Sequence, residues 1–206
     1  MSIHFHKKDL PAGVDFGTSV AVDTETQGLS MVRDKLCLVQ LSAGDGDAHI
    51  VQMDRQSYDC PNLKALLGNT DVEKIFHFAR FDVAVLKRDL NVDMSPIFCT
   101  KIASALVRTY TDAHGLKNLC KELLNIDLSK QQQSSDWANE SLTDAQLEYA
   151  ASDVLYLHQL QRILTARLMR ESRFEIAKAC FEFLPTRASL DLNGWQDVDI
   201  FSHSFR

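Results

Sequence analysis

Thr18-Ser-Val-Ala-Val-Asp-Thr-Glu25 is the stretch from which both the fold and the chemistry are read. Its short apolar run, rich in valine, predicts a strand over Thr18–Asp23. Alternate strand residues share a face, so Asp23 and Glu25 point one way while Val20, Val22 and Thr24 point the other. Two carboxylates on one face at the end of an apolar strand repel each other. A cation between them removes the repulsion, and oxygen ligands of this kind suit Mg²⁺ or Mn²⁺. Taken alone, the pair reads more readily as a solvated strand end.

Working outward, Leu36-Cys-Leu-Val-Gln-Leu41 predicts a second strand and His49-Ile-Val-Gln52 a third, with Gly44-Asp-Gly-Asp47 as the hairpin turn and the three strands as a meander. A helix is expected near Pro61, carrying Leu63, Leu66 and Leu67. Glu73-Lys-Ile-Phe-His77 reads as a short strand, followed by a mostly apolar helix from Ala79 to Leu90. Ile97-Phe-Cys99 reads as another strand, with Thr100 capping the next helix. Leu116, Leu119, Cys120, Leu123 and Leu124 repeat at helical spacing. The polar run Ser129 to Ser135 is a loop or a mobile lid. Thr143-Asp-Ala-Gln146 fits a capping box opening one long helix from Asp144 to Met169. From Pro185 onward a tail mixes acidic residues with Trp195, Ile200, Phe201 and Phe205, and is too short for a second domain. The order predicts one α/β domain over residues 1–206: a mixed sheet with a helical second half, and 185–206 as a tail that packs on its own domain or on a neighbouring subunit.

Composition narrows the function. The chain has 206 residues, 45% of them apolar and 24% charged, the balance of a globular domain with a real core. No stretch reaches the roughly eighteen apolar residues a membrane helix needs, and the N-terminus has no apolar signal core, so a cytoplasmic location is expected. Five cysteines without a CxxC pair argue against a zinc site and for reduced, buried thiols. The net charge of −6 argues against tight binding of long nucleic acid, where a basic surface supplies most of the affinity. A short oligonucleotide offers few phosphates, and metal ions can meet them.

Two further carboxylates join the first pair. Ile75-Phe-His-Phe-Ala-Arg-Phe-Asp82 leads into an apolar helix, where a carboxylate is costly unless it is paired or metal-bound. Satisfaction by backbone N–H groups at the helix start is the other reading. In Tyr149-Ala-Ala-Ser-Asp153 the spacing places the tyrosine and the carboxylate on one helix face, with small neighbours that allow close approach.

The three motifs in this order resemble the tyrosine subclass of the DEDD exonucleases, and RNase D in particular, over about residues 18–168. His114-Gly-Leu-Lys-Asn-Leu-Cys-Lys-Glu-Leu-Leu124 and Ser135-Asp-Trp137, followed by Leu142-x-x-x-Gln146-x-x-Tyr149, extend the likeness. In length and aromatic tail the chain is similar to the compact alphaproteobacterial oligoribonucleases of the nanoRNase C group. The resemblance implies an RNase H-like sheet flanked by helices. It also implies two divalent cations, Mg²⁺ or Mn²⁺, held by Asp23, Glu25, Asp82 and Asp153. Tyr149 would position the attacking water, and 5′-nucleoside monophosphates would leave one at a time from a 3′ end. Thr24, Gly28, Leu29, His77, Gln40 and Lys117 are the implied substrate contacts, with Leu29 as a wedge between the last two bases. Lys121, Lys130, Arg80, Arg33 and Lys35 are further phosphate candidates, and Trp137 is a packing anchor. Expected partners are short RNA, with DNA or tRNA-like 3′ ends as alternatives, and further copies of the chain in a dimer or ring. An inert nuclease-fold scaffold is the non-enzyme alternative.

Overall fold

The strand that begins beside Thr18 runs from Ser19 to Thr26 (β2) inside a six-stranded sheet in the computed structural model, which describes residues 2–129, 131–132 and 134–204. β2 pairs antiparallel with β3 (Leu36–Ser42), and β3 antiparallel with β4 (Ala48–Gln52), which is the expected meander. On its other side β2 pairs parallel with β5 (Glu73–Phe76), and β5 with β6 (Ile97–Cys99). One strand goes beyond the sequence reading: β1 (Ile3–Lys7) pairs parallel with β4 and completes the order β1-β4-β3-β2-β5-β6. Its run Ile3-His-Phe-His-Lys7 is mostly polar because an edge strand buries little, so it carries little hydrophobic signal.

The helices are α1 (Pro61–Gly68), α2 (Ala79–Leu90), α3 (Thr100–Val107), α4 (Leu116–Leu119), α5 (Asp144–Leu155), α6 (Leu157–Arg170) and α7 (Phe174–Leu190). α4 widens into a π-helical turn over Cys120–Leu124. β3 is buried along its whole length, which explains its uninterrupted run of mainly apolar residues. α5 packs across β2, β3 and β4, while α2 packs on β3 and β5 and against α7, and α7 packs on β6. The sheet is therefore covered by helices, and the fold is the mixed α/β architecture expected. Trp137 is buried, its ring 6.0 Å from that of Tyr149, as a packing anchor would be. Cys37, Cys60, Cys99 and Cys120 are buried free thiols, and Cys180 is half-buried and free. Among the described residues no helix is long and apolar enough to cross a membrane.

Three boundaries differ from expectation. The long helix from Asp144 breaks at Tyr156, which joins α5 to α6. The break turns the chain from the β2–β4 side of the sheet toward β5 and α3, where Leu157, Leu160, Leu164 and Leu168 are buried. Apolar periodicity continues through such a turn, so the sequence pattern does not show it. Thr100 is the first residue of α3 rather than its cap. Its hydroxyl donates to the Phe76 carbonyl instead, at 3.1 Å. Pro185 lies within α7 rather than at the head of a tail. Phe181, Leu184 and Ala188 are buried along that helix, and their packing offsets the hydrogen bond that proline removes.

Candidate active site

Asp23 and Glu25 stand at the end of β2, where the register against β3 shifts between Glu25 and Thr26. A bulge of this kind bends the strand and re-aims side chains. α5 brings Tyr149 and Asp153 over the same strand end, and its start is fixed by the capping box. There the Gln146 N–H donates to Thr143 Oγ1 at 3.3 Å, and the Thr143 N–H donates to Gln146 Oε1 at 3.0 Å. Asp23, Glu25 and Asp153 each offer a carboxylate oxygen, and the three lie within 4.8 Å of one another. Asp82 comes from the first turn of α2 and is almost wholly buried. Thr24, on the opposite face of β2 from Asp23, donates its hydroxyl to Asp82 Oδ1 at 2.7 Å.

The electrostatics record the crowding. Burial, then Asp82, Asp153 and Glu25, push the Asp23 carboxyl well above the ordinary carboxylate range. Burial, with Asp153 and Asp82, raises Glu25 to about 9. Burial also lifts Asp82 and Asp153 to about 7. Four carboxyls that resist ionisation together are what a cation would relieve. The donors are all oxygen, so the set fits a hard divalent cation. Burial and the neighbouring carboxylates raise Tyr149, so its phenol keeps its proton beside Asp153.

These groups line a cleft of about 350 Å³ that also includes Thr24, Leu29, His77 and Lys117. Leu29 is 89% exposed at its rim, so it is not a core leucine. Gly28 does not line the cleft. A side chain there would collide with the Asp34 carboxylate, so the glycine allows the tight turn that presents Leu29. His77 Nδ1 lies 2.9 Å from Thr100 Oγ1, whose proton is already given to Phe76, so Nδ1 is the donor and Nε2 keeps a lone pair. Burial, then Lys101, lowers His77 to about 3, and the ring is neutral. Gln40 is wholly buried in β3 and is not in the cleft wall.

Sequence reasoning missed Phe78 and Lys101. Phe78 adopts a left-handed conformation at φ 66° ahead of α2, and its exposed ring carries the Lys101 ammonium 4.0 Å from its centroid. A bulky residue held there costs roughly 1–3 kcal/mol, a strain that gathers at functional sites. Nothing in local sequence signals either residue. Of the further phosphate candidates, Arg80 is held by Asp191 at 2.7 Å, Arg33 by Asp34 at 2.7 Å and Lys121 by Asp127 at 2.6 Å. Lys35 lies with Lys7, Lys8 and Arg55 in a second cleft of about 720 Å³. Lys130 lies outside the described residues, as does Phe205.

Known proteins resemble the chain in both sequence and structure. A family described as 3′-5′ exonuclease matches residues 7–169. Ribonuclease D of Acidiphilium cryptum is 34% identical over 156 residues, 76% of this chain but 39% of that protein, so the chain spans about two-fifths of the length of such relatives. The solved structure of Brucella melitensis NrnC with bound Mg²⁺ is 55% identical, with a TM-score of 0.95 over 99% of this chain and 100% of that one. Brucella melitensis NrnC bound to pGG is 56% identical, with a TM-score of 0.96 over 99% of this chain and 100% of that one.

Proposed function

Because the chain belongs to the 3′-5′ exonuclease family, we propose that it hydrolyses short oligoribonucleotides, dinucleotides included, from the 3′ end and releases 5′-nucleoside monophosphates. The observation that carries this reading is the convergence of Asp23, Glu25 and Asp153 within 4.8 Å, with Asp82 and Tyr149 in the same cleft. The four carboxylates would hold two divalent cations, Mg²⁺ or Mn²⁺. Such a pair stabilises the attacking and leaving oxygens of an in-line displacement. Thr24 holds Asp82 in place. Tyr149, which keeps its proton, orients the attacking water by hydrogen bonding rather than by abstracting a proton. Leu29 replaces base stacking at the 3′ end without reading sequence. His77 Nε2 accepts from a sugar hydroxyl, and Lys117 and Lys101 meet phosphate.

Short substrates are favoured by the net charge of −6 and by the likeness to a structure solved with pGG. A second reading, trimming of longer RNA 3′ ends, is favoured by the basic cleft at Lys7, Lys8, Lys35 and Arg55 and by the ribonuclease D relatives. A cytoplasmic location and self-association into a dimer or ring belong to the same proposal. The second rests on the exposed Trp195 and Phe201, and a monomer by light scattering at micromolar concentration would remove it.

The test uses 5′-labelled RNAs of two, three, seven and about twenty nucleotides, with Mg²⁺, Mn²⁺ or EDTA, beside Asp153→Ala. Loss of single 3′ nucleotides that needs metal, is fastest on the shortest RNA and is absent in the variant is the expected result. Equal or faster attack on the longest RNA selects the trimming reading. Turnover only of matched DNA oligonucleotides would move the substrate class to DNA. No metal-dependent cleavage of either overturns the proposal and leaves the inert scaffold.

A further inference from the structure

Gln40 is fully buried, and neither its Oε1 nor its Nε2 has a hydrogen-bond partner. Buried amides are nearly always paired, so one left open asks for an explanation. Its neighbours supply one. Gln40 is the direct cross-strand partner of Asp23, and opposed residues in an antiparallel pair share a face. On its other side it faces Ile50, which is apolar. Two residues along β3 on the same face are Leu38, also apolar, and Ser42, whose hydroxyl is committed to the Asp47 carbonyl at 2.7 Å. Of its strand neighbours on that face, the carboxylate of Asp23 stands directly opposite and that of Glu25 diagonally beyond it.

We infer that Gln40 is a positioning residue of the metal centre, whose side-chain N–H groups donate to the ionised Asp23 carboxylate and hold it in the orientation that binds a cation. The inference rests on the metal-centre reading above. A donor that faces the ligand from the neighbouring strand fixes how the carboxylate is turned, and pairing the two compensates the burial of the amide. Gln40 thus does not touch substrate but acts through Asp23, as outer hydrogen-bonding partners of metal ligands do.

The test is Gln40→Met, which keeps volume and removes the amide. Melting temperature is followed while Mg²⁺, and separately Mn²⁺, is titrated into EDTA-stripped protein. The metal concentration for the half-maximal rise is expected to increase about tenfold in the variant, within the range typical of such partners. Without metal the variant is expected to melt no lower than the wild type, since an unpaired buried amide is gone. An unchanged midpoint, with or without a lower metal-free melting temperature, makes Gln40 merely structural and overturns the inference. Gln40→Leu supplies the same readout if methionine disturbs packing. No metal-dependent rise in the wild type itself overturns the metal centre and, with it, this role. A normal wild-type rise with an unchanged variant midpoint overturns only the role.

Discussion

At the scale of single residues, Tyr149 separates two chemistries. Its phenol is held protonated by burial and by the carboxylates around it, and it stands beside Asp153 on one helix face. In the proposed reaction it serves as a hydrogen-bonding group rather than as a tyrosinate base. Tyr149→Phe is expected to lower kcat by about a hundredfold, as misplacement of a reacting group can, with KM little changed. Steady-state kinetics on a short RNA checks this, and a kcat within twofold of wild type would remove Tyr149 from the mechanism. That Asp23 and Glu25 share a strand face, and Tyr149 and Asp153 a helix face, was legible from spacing, while the grouping of these four with Asp82 came from the resemblance and their convergence in one cleft from the tertiary structure. Gln40 was legible as a name only. Its place opposite Asp23 follows from cross-strand register, which spacing within one strand does not contain, and its burial from packing on that strand.

At the scale of elements, α5 carries the site. Its first turn is locked by Thr143 and Gln146, and Tyr149 and Asp153 follow within three turns. Thr143→Ala is expected to cost about 1 kcal/mol, as loss of an N-cap commonly does. For a chain of this size that is a fall of about 2–4 °C in Tm. Well below the transition, kcat is expected to stay within twofold, since the cap touches no reacting group. Differential scanning calorimetry checks the shift, and an unchanged Tm would mean the cap is not holding the helix. The capping box was readable because its partners are three residues apart. The break at Tyr156 was not, because packing against β5 and α3 decides it.

At the scale of the whole molecule, the carboxyl cluster sets a pH dependence. Burial, with the neighbouring carboxyls, raises Glu25 to about 9, and burial raises Asp82 and Asp153 to about 7 in the folded state. The unfolded values lie near 4. Between those limits the folded chain binds more protons than the unfolded chain, so stability falls as pH rises. The contribution is full below about pH 4 and is lost as pH climbs through the folded values. In EDTA, Tm is therefore expected to decline from about pH 5 to about pH 8, and Mg²⁺ is expected to flatten that decline by stabilising the ionised cluster. Thermal melts across pH with and without metal check it. A metal effect of the same size at every pH would count against these carboxyls as the ligands.

Local pattern by itself determined the meander, the helical second half, the residues that share a strand or helix face, and the carboxylate motifs, because each depends on neighbours a few positions apart. Tertiary structure alone decided the rest. Edge strand β1 exists because β4 offers it a partner, and α7 runs through Pro185 because its apolar face is buried. Arg80 is spent on Asp191, 111 positions away, and Lys101 meets Phe78 only because two strand ends converge. Asp23 and Asp153 meet for the same reason: a sheet and a helix far apart in the chain close on one point, and only packing brings that about.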